Sequence, residues 1–524
     1  MLTMYTRLAL FGLLLLLFNF GCTPASTGET VQEDTKEQPN IIFILADDVG
    51  WSEVGFNNPK KKYTPNIDAL QAKSLNLTQF YVHAVCAPSR AAFLTGRYPF
   101  RTWADWRSED FGKPSYLAKL GLDLTKNEAG EETRRIHALA TEERTVAEAL
   151  QEAGYSTAIM GKWGCGEWLP EHLPMGQGFM HQYGHYAWGI DYNNYTIPHN
   201  APARYAVYDW HRNQKPLQEQ GYATDLIANE VVRMLDEQSE AAQQSPFFYY
   251  VPFNAIHGPL EGIPRYVDEY GKRYAALKCF DEAVGRIVGA VEQNGFSENT
   301  VIVFANDNGA IRDTMNAPYR GTKNTNYEGG VRVPCFVYWP GKVEAGTSSD
   351  AMMHITDLYP TFVEWGGGSL EQERPLDGFD MTAVIQMGAK SPREEIVFEV
   401  DKSVRLPAMR QGDFKLIGEE LYNIKEDPEE KRDIASENPA IVLKMKERLQ
   451  ELGASRPPMP DMSLLMTPAL PWVYGQQENA NAPAWIKELM VGVRAQQPQS
   501  WAPGTTPWPQ APKDGKIIYT GDGR

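Results

Sequence analysis

The chain has 524 residues, enough for one large α/β unit with an appendage or for three or four domains of roughly 150 residues, so a peptide hormone or a lone binding module is excluded. With 42% hydrophobic and 22% charged residues it has the composition of a globular protein with a large core, which excludes disorder over most of its length. Its 67 Asp and Glu outnumber 50 Lys and Arg for a net charge of −17, a field that repels phosphate backbones and argues against nucleic acid as a partner.

At the N-terminus, Arg7 precedes the apolar run Leu8–Phe18 and then Gly21-Cys22, the charge, length and small-residue exit of a secretory signal peptide over residues 1–21. The run is short for a membrane span. Gly-Cys resembles a bacterial lipobox in which Cys22 becomes the lipidated N-terminus, although Asn19 and Phe20 match it poorly. The expectation is an exported protein, anchored through lipid in the periplasm or on the cell surface, or else cleaved and secreted. Residues 22–38 are polar and read as a tether.

Residues 39–390 alternate short apolar runs with amphipathic segments. This predicts an α/β domain with a large mixed, mostly parallel sheet sandwiched by helices. Strands are predicted at Ile41–Leu45, Tyr155–Met160, Phe247–Phe253 and Val301–Phe304, and helices at Val146–Ala153 and Ala276–Val291. Thr64-Pro65-Asn66-Ile67-Asp68 starts another helix, with Thr64 as N-cap and Pro65 at the first helical position. Residues 391–455 read as a smaller α+β subdomain, with strands Ile396–Val400 and Phe414–Ile417 and a helix over Ala440–Leu452. Residues 456–524, rich in Pro and Trp, read as an irregular tail whose Trp residues pack on the body.

Two apolar strand patterns end in oxygen ligands, Ile41–Leu45 before Asp47-Asp48 and Val301–Phe304 before Asp307-Asn308. In open α/β sheets ligands bind beyond the carboxyl ends of strands. Four hard oxygen donors suit Ca²⁺ or Mg²⁺, and zinc would want His or Cys. Each motif alone also fits a helix cap or a tight turn. Five cysteines in 524 residues are too sparse for a disulfide framework, and Cys165, Cys279 and Cys335 read as structural thiols.

The stretch Cys86-Ala87-Pro88-Ser89-Arg90, followed by Thr95-Gly96, matches C-x-P-S-R-x-x-x-x-T-G in full. On it the chain resembles the type I, formylglycine-dependent sulfatases of the alkaline phosphatase superfamily, bacterial polysaccharide sulfatases among them. The resemblance extends in order through Thr64–Leu70, Gly161-Lys162-Trp163, Asn254–Pro259, Phe304–Gly309, Lys323–Arg332, Asp357–Thr361 and Glu420–Pro428.

It implies a sulfuric ester hydrolase in which Cys86 is oxidised to formylglycine by a separate generating enzyme. Asp47, Asp48, Asp307, Asn308 and residue 86 would bind calcium, magnesium being the lesser alternative. Arg90 would hold the formylglycine, Lys162 and Lys323 would grip sulfate, and His257 would stand near the leaving oxygen. The chemistry agrees: a sulfate ester gains negative charge at the bridging oxygen as it cleaves, so fixed positive charge and a proton donor are needed. Three Asp against one divalent cation and three basic side chains leave a local balance of about +2.

One position departs from the family pattern. Many members carry a His after Gly-Lys-Trp that serves as base in sulfate elimination, whereas this chain has Gly164. The base is therefore unassigned, and His185 in the segment 181–195 is the candidate to supply it.

Two segments mix aromatic and polar residues as sugar rings require. They are residues 101–108, with Trp103 and Arg107, and Tyr186–Tyr195, although ordinary core aromatics give the same pattern. A sulfated polysaccharide or oligosaccharide is the expected substrate. The rivals are a phosphomonoesterase or phosphodiesterase of the same superfamily, and a non-catalytic lipoprotein that binds sulfated glycans.

Overall fold

A computed structural model describes residues 38–102, 104, 124–126, 132–135, 138–166, 170–196, 208–241, 245–402, 405–458, 463–465 and 483–496. Residues 1–21, read as a signal peptide, and Cys22, Trp103 and Arg107 lie outside them. Gln38, read as the end of the tether, is bound to the body, its Nε2 donating to the carbonyls of Ala153 (3.0 Å) and Gly366 (2.6 Å).

The main sheet contains β1 (Asn40–Ala46), β2 (Leu75–Leu77), β3 (Ser156–Lys162), β4 (His181–His185), β5 (His211–Arg212), β6 (Lys215–Pro216), β7 (Phe247–Pro252), β8 (Thr300–Asn306), β9 (Cys335–Tyr338) and β10 (Thr347–Ser349). Its spatial order is β10-β2-β9-β8-β1-β7-β3-β4-β5-β6. The central run β8, β1, β7, β3, β4 is parallel throughout, while β9 and β5 pair antiparallel with the ends of that run.

All seven residues of β1 are buried without alternation, as a central parallel strand covered on both faces requires. Ile41, Phe43 and Leu45 face one cluster with Ala91–Leu94, Val146, Leu150 and Phe362. These come from α2 (Cys86–Thr95), α3 (Val146–Glu152) and, further along the chain, the helix Leu358–Trp365. Ile42, Ile44 and Ala46 face the other cluster, with Ile227 and Val231 of α4 (Ala223–Glu240) and Phe280, Val284 and Ile287 of α5 (Val267–Gln293).

Helix α1 (Pro65–Gln71) begins at Thr64 with Pro65 at its first position, but Thr64 makes no side-chain cap. Its hydroxyl accepts from Gly55 N (2.8 Å) and donates to Asp68. Asp281 of α5 takes over the helix end, accepting from Asn66 N (3.2 Å) and Ile67 N (2.8 Å), which satisfies amides that the first turn leaves unpaired.

Strands β11 (Glu395–Glu399), β12 (Ala408–Gln411), β13 (Phe414–Ile417) and β14 (Glu420–Asn423) form an antiparallel meander. A helix, Pro439–Ala454, packs Met445, Leu449 and Leu452 onto Val397, Met409 and Leu416. The segment read as an irregular tail contains regular structure. Ser463–Leu465 pairs with Glu132–Arg135, and Ala484–Gln496 is a helix whose Ile486 is buried. Trp485 sits edge-on against Tyr208 at 5.0 Å, so a tail tryptophan does pack on the body. Among the described residues no helix is long and apolar enough to cross a membrane.

Candidate active site

Because β8, β1, β7, β3 and β4 run the same way, the residues after their last positions share one edge of the sheet. Ala46 is in register with Asn306, so Asp47 and Asp307 leave adjacent strands side by side. Asn306 locks the two loops together, its amide accepting from Val49 N (3.2 Å) and donating to Val49 O (2.6 Å). The loop after β7 is tied in as well, with Asp47 N donating to Ala255 O (2.8 Å) and Ile256 N to Asp47 O (2.6 Å). Asp48 has φ +64°, a left-handed conformation that Asp tolerates better than most residues. Its carbonyl accepts from Arg273 Nη2 (2.6 Å), and Arg273 is braced by Glu53.

Cys86 opens α2, following Val85 in extended conformation. The strand-to-helix turn is held by Ser89, whose hydroxyl accepts from His83 N at 2.9 Å and lies 3.2 Å from Val85 O. One turn on, Arg90 is fully buried. Its Nη2 and Nε reach Asp307 Oδ2 at 2.8 and 3.1 Å, Nη2 lies 3.3 Å from Asp47 Oδ2, and Nη1 donates to Lys162 O at 2.8 Å. Lys162 Nζ contacts Asp47 Oδ2 at 2.5 Å and Lys323 Nζ contacts Asp48 Oδ1 at 2.6 Å. Asn308 Nδ2 donates to the same Asp48 oxygen at 2.7 Å.

The residues present fit a hard divalent cation. Asp47, Cys86 and Asp307 bring ligand atoms within 4.8 Å of one another, and so do Asp47, Asp48 and His257. Asp47 Oδ1, Asp307 Oδ1 and Asn308 Oδ1 are buried without a hydrogen-bond partner, a costly arrangement unless something else coordinates them. Burial opposes ionisation of Asp47, yet Lys162, His257, Lys323 and Arg90 hold it below the usual carboxylate range. Asp307 is pushed up, by burial and by the charge of Asp47. That repulsion between neighbouring carboxylates is what a cation between them relieves.

His257 is half-buried, its Nδ1 2.7 Å from Gly258 O. Burial and then the charge of Lys323 lower it to about 4. His185 is fully buried in register with Lys162, and neither ring nitrogen has a hydrogen-bond partner. Burial lowers its pKa to about 3, with Asp209 opposing and the charges of Lys162 and Arg90 adding to the shift. Gly164 has φ +72°, and a Cβ there would lie 3.3 Å from Arg90 Cδ and 3.5 Å from Lys162 Cε. Position 164 therefore faces the cations without a side chain, next to a strand that carries an unpartnered imidazole.

Within the aromatic segment after β4, read as a sugar-facing candidate, the tyrosines are core residues. Tyr186, Tyr192 and Tyr195 are buried, their hydroxyls meeting Gln182 Oε1 (3.2 Å), Asn254 O (2.7 Å) with His257 O (2.8 Å), and Gly221 O (2.8 Å). Trp188 is half-buried. Asp209, which the sequence gave no reason to single out, fixes this turn by accepting from Tyr186 N (3.0 Å) and Ala187 N (2.7 Å). Arg273 and Glu53 carried no local signal either, whereas Asn306 could have been noticed as a polar residue closing a buried apolar strand. Cys165, Cys279 and Cys335 are buried free thiols. Burial raises the first two to about 12 and about 11 and the third well above the ordinary range, as expected of inert thiols.

Comparison with known proteins agrees with this arrangement. The sulfatase family model matches residues 39–368, and that of the C-terminal region of N-sulphoglucosamine sulphohydrolase matches residues 322–455. The chain is 32% identical over 375 residues to mouse arylsulfatase J, covering 70% of itself and 58% of that protein. It is 30% identical over 379 residues to mouse N-acetylgalactosamine-6-sulfatase, covering 68% of each. The crystal structure of Ps i-CgsB superposes with a TM-score of 0.66 at 26% identity, over 88% of this chain and 98% of that one. The same protein has been solved with k-i-k-neocarrahexaose. The fold is alkaline phosphatase-like. From the matched family model, these relatives and the shared architecture, the chain belongs to the sulfatase family, the sulfuric ester hydrolases of the alkaline phosphatase superfamily.

Proposed function

We propose that the chain removes sulfate esters from an extracellular sulfated polysaccharide or oligosaccharide, with formylglycine made from Cys86 by a separate enzyme and calcium held by Asp47, Asp48, Asp307 and Asn308. The observation that carries this reading is the convergence of Cys86 with Asp47 and Asp307 within 4.8 Å, beside three buried oxygens without partners. The carbohydrate class is supported by the k-i-k-neocarrahexaose complex of the structural relative. Export, with lipid attachment at Cys22, rests on the N-terminal sequence.

When bound, the cation and the aldehyde hydrate supply positive charge at the ester oxygens and the attacking hydroxyl. The chain's own residues do the rest. Arg90, tied to Asp307, Asp47 and Lys162 O, fixes the floor of the site. Lys162 and Lys323 place ammonium groups where sulfate oxygens gather charge. His257 stands at the mouth to serve the departing alcohol, and His185 takes the proton-accepting role that Gly164 cannot.

The test is sulfate release from sulfated oligosaccharides, with aryl sulfate and aryl phosphate assayed in parallel, for the native chain and for Cys86→Ala. The expected result is sulfate release by the native chain alone, with aryl sulfate strongly preferred. A preference for phosphate, or equal turnover by Cys86→Ala, would overturn the reading.

A further inference from the structure

We infer that Trp188 is the platform on which the sulfated sugar ring stacks, so that the site selects a pyranose ring rather than sulfate alone. This rests on the sulfate ester hydrolysis proposed above and names its substrate contact.

Trp188 is the half-buried residue of a turn that is otherwise buried from Gln182 to Ile190. Its ring lies edge-on to His257 with centroids 5.7 Å apart, and His257 is within ligand distance of Asp47 and Asp48. An apolar ring surface thus borders the cationic cradle.

The turn is fastened on both sides of it. Asp209 holds the amides of Tyr186 and Ala187, and Tyr192 OH is shared between the carbonyls of Asn254 and His257. Gly189 permits the close approach, since a Cβ there would sit 3.3 Å from His257 Nδ1. The tyrosines of the same segment spend their hydroxyls inside the core, as described above, so among these described aromatics Trp188 is the one that is not buried.

A pyranose has a face of C–H groups and a rim of hydroxyls, which suits a rigid, partly wet indole. A sulfate seated between Lys162 and Lys323 would hold its sugar beside this ring. Because the indole and its turn are already ordered, little conformational freedom is lost on binding.

The experiment compares Trp188→Ala and Trp188→Phe with the native chain in two measurements. One is hydrolysis of a sulfated disaccharide, and the other is competitive inhibition by inorganic sulfate. Trp188→Ala is expected to raise KM for the disaccharide about tenfold, with the loss falling on KM rather than kcat, while the inhibition constant for sulfate stays put. Trp188→Phe should recover most of the loss. Quenching of tryptophan fluorescence by the disaccharide should shrink in both variants.

An unchanged KM in Trp188→Ala would overturn the proposal. So would parallel weakening of disaccharide and inorganic sulfate, which would mean that the ring only props up His257. If the native chain released no sulfate at all, the sulfatase reading would fail instead, and fluorescence binding of the disaccharide would still report on Trp188.

Discussion

Arg90 is where the charges of the site converge. A fully buried guanidinium is tolerable only when its donors are matched, and here two carboxylates and a backbone carbonyl match them. Arg90→Met would leave Asp307 buried without its main counter-charge and would remove one of the cations facing Asp47. It should cost about 3–5 kcal/mol of unfolding free energy, read by urea denaturation of the metal-free protein; a loss below 1 kcal/mol would mean the pair is solvated. His185 makes a different prediction, because its ring has no partner to lose. His185→Asn should lower kcat about 10²-fold or more, the usual contribution of a positioned base, while thermal stability changes little. Retained turnover would leave the elimination base elsewhere.

At the scale of elements, the C-terminal meander is bonded to the main body through a buried ionic cluster. Lys415 of β13 lies 2.8 Å from Glu328 and 3.0 Å from Glu430, all three fully buried. Glu328 also accepts from Tyr81 OH (2.8 Å), and its backbone N donates to Glu430 (2.7 Å). Burial, with the charge of Glu328 adding to it, pushes Glu430 from 4.5 up to about 7. The folded state then holds a proton that the unfolded chain has released across that window, so stability falls as pH rises through it. Glu430→Gln should flatten this slope in thermal melts between pH 5 and 8, and an unchanged slope would place the titration on another group. Lys415→Met should destabilise strongly, by about 3–5 kcal/mol, since it removes the ammonium that two buried acids share.

This cluster also marks the limit of what the sequence reveals. Strands such as Phe414–Ile417 were legible to the residue, and β1, β3, β7 and β8 to within two, because continuous apolar runs bounded by polar residues have few other solutions. The carboxylates that gather at the sheet edge were legible because they follow those strands directly. Lys415, Asp209, Arg273 and Asp281 were not, since each acts on a partner far away in the chain. The helix Ala484–Gln496 was hidden by the Pro-rich composition around it. Within Tyr186–Tyr195 the tyrosines are core residues with bonded hydroxyls while Trp188 is only half-buried, a difference that composition cannot show.

For the whole molecule the question is how a body of net charge −17 holds an anionic ester. The parallel sheet answers by bringing five strand ends to one edge, where Arg90, Lys162 and Lys323 balance Asp47, Asp48 and Asp307 one for one. A divalent cation bound there, as proposed, would tip that edge to a net positive charge, and distant surface acids are screened beyond about 10 Å at ordinary salt. The direct test is calorimetric titration of calcium into the metal-free chain, alongside Asp48→Ala and Asp307→Ala. The account predicts saturable binding of a single ion per chain, lost in both variants while their circular dichroism stays native. Native protein that takes up no calcium, or variants that bind it as well as the native chain, would contradict it.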